Sequence, residues 1–291
     1  MNQIANKWQD YECIDTGNGE KLERWKDVVL RRPDPLSLWP IMKEDQAWLN
    51  PHALYHRSKT GGGQWDYKKK VPDQWTISYR NLVFKVSPTG FKHTGLFPEQ
   101  AANWDWMSEA IASSHREIRV LNLFAYTGGA TMACSAAGAA EVVHVDASKG
   151  MVAWAKENMV LSHLEHNKIR FIVDDVLKFV AREKRRGNTY HAIIMDPPSY
   201  GRGPNGELWK IEEQLYPLIS ACLEILDDDP LFFLVNSYTT GFPPTVLQNI
   251  LSSTIGKQHP NGIVTSGEIG LPITRTKTTL PCGIYGKWIN K

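Results

Sequence analysis

From Arg119 onward, short apolar runs alternate with stretches of helical periodicity, and this alternation limits the possible folds of the chain more than any other feature. The apolar runs span residues 120–124, 142–145, 169–173, 191–195 and 231–236, and the helical stretches between them span residues 130–137, 149–163, 176–186 and 213–226. Strands that alternate with helices build a parallel sheet covered on both faces. The pattern therefore predicts a Rossmann-like α/β fold for this part of the chain.

The first part of the chain has a different character, with short strands broken by prolines and glycines. Prolines interrupt residues 1–70 repeatedly, and Gly61-Gly62-Gly63 marks a turn. Residues 75–86 alternate apolar and polar side chains on either side of Arg80-Asn81. This alternation predicts a β-hairpin turned at that dipeptide.

The sequence also indicates where the two regions meet and how the chain finishes. Pro98 is suited to the first turn of a helix, which we predict over residues 99–113. Residues 267–288 are rich in Gly, Pro, Thr and Ile and are predicted to form the last strands of the sheet. We therefore expect a β-rich accessory domain at residues 1–90 and a larger α/β domain at residues 91–291.

Composition excludes several classes of protein. No apolar run in the 291 residues approaches the roughly 20 residues of a membrane span. We therefore expect a cytoplasmic protein with no membrane partner.

The four cysteines, at positions 13, 134, 222 and 282, are widely scattered, with no CxxC pair and no neighbouring His cluster. The sequence predicts neither a metal site nor a disulfide framework.

Three basic clusters suggest a nucleic-acid partner more than the formal net charge of +2 does. They are Arg31-Arg32, Lys68-Lys69-Lys70 and residues 182–186, and several tryptophans and tyrosines lie near the first two. Basic and aromatic side chains together suit phosphate contacts and base stacking. Solvated loops and a helix end are an equally good explanation of any single cluster.

The segment Asn122-Leu123-Phe124-Ala125-Tyr126-Thr127-Gly128-Gly129 follows the first predicted strand of the α/β region and precedes a helix. Glycines in such a turn let the backbone approach a ligand closely. The segment is not a GxGxxG motif, which cradles the pyrophosphate of a dinucleotide. S-adenosylmethionine carries no phosphate, so a looser glycine-containing turn suits it. We predict an S-adenosylmethionine site here.

Asp146 ends the second predicted strand, 18 residues after Gly128. A carboxylate at this place can accept both ribose hydroxyls of the cofactor. Ala147 and Ser148 follow directly and are included in the predicted site. The alternative is that Asp146 merely caps the helix that begins near Ser148.

Further acidic residues follow the next two predicted strands. Asp174-Asp175 could reach the exocyclic amine of the adenine, although either side chain could instead cap the following helix.

Asp196-Pro197-Pro198-Ser199-Tyr200 ends the fourth strand, where two prolines stiffen the backbone. We predict that Asp196 and the Pro197 carbonyl align the methyl acceptor and that Tyr200 stacks on a base. A rigid turn with a packed tyrosine is the alternative.

Taken together, these segments resemble the large-subunit ribosomal RNA methyltransferases whose best-known members methylate carbon 5 of a cytosine in 23S ribosomal RNA. The resemblance covers residues 91–236 and includes the segment His93-Thr94-Gly95-Leu96-Phe97-Pro98-Glu99-Gln100. It implies a class I methyltransferase sheet of seven strands, S-adenosylmethionine as cofactor and RNA, ribosomal RNA in particular, as partner. The cofactor contacts expected on this basis are Phe97, Gln100, Asn122, Phe124, Tyr126, Thr127, Gly128, Gly129, Asp146, Ala147, Ser148, Asp174, Asp175 and Asp196.

The sequence departs from this family in two places. The glycine pattern of the family's N-terminal PUA domain is absent from the first 70 residues. The catalytic cysteine that the family places after strand five is also absent, because the corresponding residues are Val235-Asn236-Ser237-Tyr238-Thr239. Carbon-5 methylation needs a thiolate to attack carbon 6 of the cytosine. Cys282 is the one substitute that the sequence offers, and transfer to a nitrogen atom needs no such nucleophile.

Other functions remain open at this level. The same cofactor site could serve methylation of a small molecule or a protein, or belong to a binding protein that has lost its chemistry. A nicotinamide-dependent oxidoreductase shares the strand and helix pattern, but the missing third glycine and Asp196-Pro197-Pro198 disfavour it.

Overall fold

The parallel strands predicted from the sequence lie side by side in the structure, a computed structural model that describes residues 2–42, 45–58, 62–90, 92–202, 206 and 208–291. The first elements are strands β1 (Gln3–Ile4), β2 (Tyr11–Gly17), β3 (Glu20–Trp25) and β4 (Val28–Pro33), helix α1 (Gln46–Leu49), and strands β5 (Ala53–Arg57), β6 (Gly63–Tyr67), β7 (Trp75–Tyr79) and β8 (Leu82–Val86). A 3-10 helix (Pro98–Gln100) leads into helix α2 (Ala101–Ser114).

Strands and helices alternate regularly after α2. The elements are β9 (Arg119–Leu123), α3 (Gly129–Ala136), β10 (Glu141–Asp146), α4 (Lys149–Leu161), β11 (Ile169–Val173), α5 (Val176–Arg186), β12 (Ala192–Met195), β13 (Tyr200–Arg202), β14 (Leu208–Lys210), α6 (Ile211–Leu223), β15 (Phe232–Ser237), α7 (Pro244–Ser253), α8 (Ile255–Gln258), β16 (Ile263–Pro272) and β17 (Thr279–Ile289). The predicted α/β fold is confirmed.

The main sheet has eight strands in the order β1-β16-β17-β15-β12-β9-β10-β11. Its neighbouring pairs from β15 to β11 are parallel, and β17 runs antiparallel to β15. The expected number of strands was seven, and the eighth is the short β1 near the start of the chain. From β9 the chain first adds β10 and β11 on one side and then crosses to β12 on the other. Ligands bind at such a switch point in open α/β sheets.

Local sequence explains why these elements form. All four residues of β12 and all six of β15 are buried, as expected for strands covered on both faces. Helix α5 buries Val176, Phe179, Val180 and Glu183 at helical spacing. Gly187 ends it with a φ of 67°, the left-handed conformation that favours glycine. None of the helices in the described ranges is long and apolar enough to cross a membrane.

The chain divides into two compact units. The sheet unit comprises Asn103–Ile269 and Gly283–Lys291 with the first residues of the chain, and the β-rich unit comprises Ile4–Ala102 and Gly270–Cys282. The β-rich unit contains a five-stranded sheet, β2-β3-β4-β5-β6, and the hairpin β7-β8. The hairpin is the predicted one, and Arg80 in its turn has a φ of 53°. Of the predicted glycine turn, Gly61 lies outside the described residues.

This division differs from the expected boundary between residues 90 and 91 because hydrogen bonds tie residues 92–100 to the β-rich unit. The Arg32 guanidinium donates to the Lys92 carbonyl at 2.7 Å, and the Trp8 indole donates to the Pro98 carbonyl at 2.8 Å. Such tertiary contacts leave no local signal in the sequence, so the boundary could not be placed from residue patterns.

Candidate functional site

Four chain segments with polar residues meet at one edge of the main sheet. Leu123, Val145 and Met195 are paired neighbours in the parallel register, and Asp146 pairs with Val173. The strands β12, β9, β10 and β11 therefore end at the same edge. The turn after β9, Asp146, Asp174-Asp175 and the segment after β12 all follow these strand ends, as the sequence predicts.

The turn after β9 holds alternate residues in the left-handed conformation. The φ angles are 53° at Phe124, 50° at Tyr126 and 86° at Gly128. A left-handed conformation costs a non-glycine residue on the order of 1–3 kcal/mol and persists only where surrounding contacts fix it. This turn is therefore held by its neighbours.

Asp146 is one of those neighbours. Its Oδ2 accepts the Tyr126 N–H at 2.8 Å, and its Oδ1 accepts the Ser148 N–H at 2.8 Å. Burial raises the pKa of the Asp146 carboxyl, and these two backbone hydrogen bonds oppose the rise. A carboxylate oxygen can accept more than one hydrogen bond, so both oxygens retain acceptor capacity. The N-cap of α4 is Ser148, which excludes the alternative that Asp146 caps this helix.

The two glycines of the turn are required for packing. A Cβ on Gly129 would lie 2.5 Å from Cζ2 of Trp104, and one on Gly128 would lie 3.1 Å from Ala155 Cβ and from Met132 Cε. The sequence-based explanation, close approach of the backbone to a ligand, is therefore not needed for either glycine. Trp104 is 4% exposed and is a core residue of the sheet unit.

Two of the predicted cofactor contacts face the interior. The Asn122 side chain is buried and donates to Thr131 Oγ1 at 3.0 Å. Thr127 is buried, and its carbonyl accepts from Asn158 Nδ2 at 2.8 Å. Both residues support the turn from within the sheet unit. The half-buried Phe124 and Tyr126 are the more accessible side chains of the turn.

The two aspartates after β11 form hydrogen bonds and an ion pair with residues close to them in the sequence. Asp175 is the N-cap of α5 and accepts the Lys178 N–H at 3.0 Å, which is the structural alternative considered above. The Asp174 carboxylate accepts the Asp175 N–H at 2.9 Å and lies 2.6 Å from Nη1 of Arg182. The capping oxygen of Asp175 leaves its second oxygen for a ligand, so Asp175 stays the better candidate for the adenine amine.

The segment after β12 is bound to its surroundings by a tryptophan that the sequence analysis did not single out. The Trp209 indole donates to the Pro198 carbonyl at 2.6 Å, and its ring lies 5.0 Å from the Phe124 ring, edge to face. Trp209 thereby joins the turns that follow β9 and β12, on the two sides of the switch point. A lone tryptophan in a glycine- and proline-rich segment was the available signal.

The remaining residues of this segment differ in how far they are exposed. Asp196 is half-buried, Pro197 is buried, and the Tyr200 side chain is 57% exposed on β13. The Ser199 and Thr239 hydroxyls lie 2.7 Å apart and connect the ends of β12 and β15. The proposed acceptor-aligning residues are thus at the sheet edge next to the turn after β9.

Phe97 and Gln100 belong to the β-rich unit. Gln100 is buried at the end of the 3-10 helix, and its N–H donates to the Phe97 carbonyl at 3.1 Å. The Phe97 ring lies 5.4 Å from the His93 ring. Their contact with the cofactor stays a prediction from the family resemblance.

None of the four cysteines has the exposed thiol of lowered pKa that a catalytic nucleophile needs. Cys13, Cys134 and Cys222 are buried, and burial raises the pKa of each thiol. Cys282 lies within β17, and burial and Glu99 raise its pKa well above the usual value. Catalytic cysteines require a lowered pKa. No group of three potential metal ligands occurs among the described residues.

Most of the basic clusters are neutralised by acidic partners. Arg31 lies 2.5 Å from Glu20, and the buried Arg32 lies 2.7 Å from Glu23. In the other two clusters, Lys68 pairs with Asp66, Arg182 with Asp174, Lys184 with Glu224 and Arg186 with Glu183. These contacts favour the structural interpretation of the first cluster over phosphate binding.

Comparison with known proteins gives consistent matches. The sequence model of a family described as S-adenosylmethionine-dependent methyltransferase matches residues 47–212. The crystal structure of a SAM-dependent methyltransferase from Agrobacterium tumefaciens superposes with a TM-score of 0.94 at 36% identity, covering 100% of this chain and 94% of that one.

Two curated relatives have names that specify a substrate. Ribosomal RNA large subunit methyltransferase K/L of Colwellia psychrerythraea is 26% identical over 231 residues, which are 79% of this chain and 30% of the relative. Ribosomal RNA large subunit methyltransferase K of Neisseria meningitidis serogroup B is 27% identical over 230 residues, which are 76% of this chain and 64% of the relative. This chain therefore spans less than two thirds of either relative.

Proposed function

Because the chain belongs to the family of S-adenosylmethionine-dependent methyltransferases, we propose that it transfers a methyl group to RNA, with ribosomal RNA as the substrate class. The relatives named as ribosomal RNA methyltransferases support this choice of substrate. The proposal also places the protein in the cytoplasm, where such RNA is found.

The observation that carries the proposal is the way in which the Asp146 carboxylate is held. It is a partly buried carboxylate, fixed by two backbone N–H groups, that keeps acceptor capacity on both oxygens. This donor and acceptor pattern suits the two hydroxyls of a ribose. Tyr126, Ala147 and Ser148 would line the site around it, with Asp175 toward the adenine. S-adenosylmethionine supplies a methyl group on a sulfonium, which is already activated for transfer.

The state of the cysteines supports direct transfer to a nitrogen atom. All four thiols have raised pKa values, and residues 235–239, where the resembling family has its cysteine, contain none. A ring nitrogen or exocyclic amine brings its own lone pair, so the protein needs only to align it. We assign this alignment to Asp196 and the Pro197 carbonyl.

Tyr200 is assigned to base stacking. More than half of its side chain is exposed, and it lies on β13, directly after the Asp196 to Ser199 segment. Stacking of a base on an aromatic ring is worth about 1–3 kcal/mol and does not depend on the base. Tyr200 therefore contributes affinity for RNA without selecting the nucleotide.

Methyl transfer to RNA from a strain that lacks this protein tests the proposal. Labelled S-adenosylmethionine is incubated with total RNA and the protein, and the RNA is digested to nucleosides for identification by mass. The expected product is a nitrogen-methylated nucleoside. Labelled 5-methylcytidine would contradict the assigned chemistry, and absence of label from every RNA species would contradict the substrate.

A small molecule or a protein is the second candidate substrate. The ion pairs of Arg31, Arg32, Arg182 and Arg186 favour it, because they remove basic groups that would otherwise contact phosphates. Turnover that is insensitive to ribonuclease in a cell extract would support this candidate. Cofactor binding without turnover in either assay would indicate a binding protein that has lost its chemistry.

A further inference from the structure

A buried histidine lies beneath the turn that follows β9. His144 is the fourth residue of β10 and is 0% exposed. Its Nδ1 lies 2.9 Å from Thr131 Oγ1, which also accepts the Asn122 amide at 3.0 Å. Nε2 has no hydrogen-bond partner among the described residues. Buried polar atoms without partners are rare in folded proteins and need an explanation.

The ring of His144 is neutral. Burial lowers its pKa to about 3, and the Tyr126 backbone opposes the fall. A neutral imidazole carries one proton, on either Nδ1 or Nε2. Because Thr131 Oγ1 already accepts a hydrogen bond from Asn122, its own proton is best donated to Nδ1. That choice puts the ring proton on Nε2.

The Nε2 edge of the ring faces the turn. An ideal Cβ on Gly128 would lie 3.6 Å from His144 Cε1, the carbon between the two ring nitrogens. The Tyr126 backbone opposes the lowering of the ring's pKa and so belongs to the immediate surroundings of the ring. The unpartnered Nε2 therefore lies beneath the turn, bonded to the Cε1 atom that faces Gly128.

We propose that His144 is a positioning residue for the cofactor: its Nε2–H supports the left-handed Tyr126 peptide, while Asn122 and Thr131 fix the ring's tautomer. The Tyr126 N–H then stays directed at Asp146 Oδ2. This inference rests on the proposed function only in taking S-adenosylmethionine as the ligand.

Removal of the Nε2 group has a defined consequence. Tyr126 would relax from its left-handed conformation, because this conformation is costly for a tyrosine. Asp146 would lose one of its two backbone donors and the orientation that they impose. We expect about tenfold weaker binding of the cofactor, because the turn that orients Asp146 would lose this support.

Two substitutions separate the two ring nitrogens. An asparagine amide reaches the position of Nδ1, and a glutamine amide reaches that of Nε2. His144→Asn should therefore bind S-adenosylmethionine about tenfold more weakly, and His144→Gln about threefold or less, in calorimetric titrations well below the unfolding temperature. The wild-type chain is titrated first. Its failure to bind would contradict the proposed function and overturn the inference with it.

Variants of Thr131 test the tautomer without touching the ring. Thr131→Val removes the hydroxyl at nearly constant volume and should weaken binding, whereas Thr131→Ser should restore it. Leu247→Ala, in the core of the sheet unit, is the control for a general loss of stability and should leave the affinity unchanged. Wild-type affinity in both His144→Asn and Thr131→Val would overturn the inference. So would equal weakening in Leu247→Ala.

Discussion

Two acidic side chains, Glu23 in the β-rich unit and Asp146 in the sheet unit, are held in opposite ways. Glu23 is fully buried and surrounded by side chains: the Arg32 guanidinium donates to both of its oxygens at 2.7 and 2.9 Å, and the Tyr11 hydroxyl donates at 2.6 Å. Burial alone would raise its pKa, but Arg32 and Lys21 lower the pKa to about 2.

Asp146 has backbone donors instead of charged partners. The Tyr126 and Ser148 N–H groups orient its carboxylate, and burial shifts its pKa upward. A carboxylate saturated by cations stabilises the fold, whereas one oriented by backbone amides keeps its charge and acceptors for a ligand. The comparison separates a structural acidic residue, Glu23, from Asp146, the residue that we propose binds the cofactor.

Substitution of Glu23 should produce the largest loss of stability. Glu23→Gln leaves Arg32 buried without a counter-ion, which costs about 3–5 kcal/mol of the free energy of unfolding. Denaturant titration measures this loss. The affinity for S-adenosylmethionine at low denaturant should be unchanged, and a large loss of affinity would break the comparison. The Glu23 contribution is complete above about pH 4.5 and is lost as the pH falls toward about 2.

Substitution of Asp146 should have the opposite pattern of effects, a large loss of cofactor affinity and a small loss of stability. Asp146→Ala removes two charge-assisted hydrogen bonds to the ribose, worth about 1.5–3 kcal/mol each, so the cofactor should bind at least about 100-fold more weakly. Calorimetry measures the affinity, and the midpoint of denaturant unfolding should move far less than in Glu23→Gln. Unchanged affinity would show that the ribose lies elsewhere.

Lys287 offers a third arrangement, a buried charge without an acidic partner within 4 Å in the described part of the chain. Its Nζ lies 2.8 Å from Gln3 Oε1 and 4.3 and 4.5 Å from the ring centroids of Trp106 and Tyr285. Burial lowers its pKa to about 7 from the usual 10.5. The folded state thus binds fewer protons than the unfolded state between these pH values, and stability rises with pH there.

Lys287→Met should remove this pH dependence. At pH 6 the variant should be more stable than the wild type by about 1–2 kcal/mol, since a charged group no longer has to be buried. The difference should shrink toward pH 10, and unfolding curves across this range measure it. A variant that is less stable at every pH would show that the two rings and Gln3 compensate fully for burial of the charge.

Substitution of Cys282 should have the smallest effect. Its thiol is protonated at neutral pH because burial raises its pKa, so Cys282→Ser should leave methyl transfer to RNA within about twofold of the wild type. Loss of transfer together with a covalent RNA adduct in the wild type would restore carbon-5 chemistry.

The fold was predictable wherever local patterns were strong. The bounds of β11 (Ile169–Val173) and α5 (Val176–Arg186) agree with the sequence-based prediction. An apolar run followed by an amphipathic helix with an Asp cap and a terminal glycine carries its structure locally. The limit of the β-rich unit was not predictable, since it depends on hydrogen bonds between distant residues such as Arg32 and Lys92.

The position of the candidate site was predictable from the sequence, but the contacts that explain why each residue is there were not. Asp146 was expected at the end of its strand because parallel strands present their carboxyl ends at one edge. Gly129 was expected to admit a ligand, yet Trp104 occupies the space beside it. The roles of Trp209 and His144 depend on contacts across the fold, so the sequence does not reveal what either side chain does.

A crystal structure with S-adenosylhomocysteine tests the central claim most directly. We predict that both ribose hydroxyls lie within hydrogen-bond distance of the Asp146 oxygens, about 2.5–3.0 Å, while the Tyr126 and Ser148 N–H bonds to the carboxylate persist. A ribose bound away from Asp146, or an Asp146 carboxylate turned toward a cationic side chain, would contradict the account.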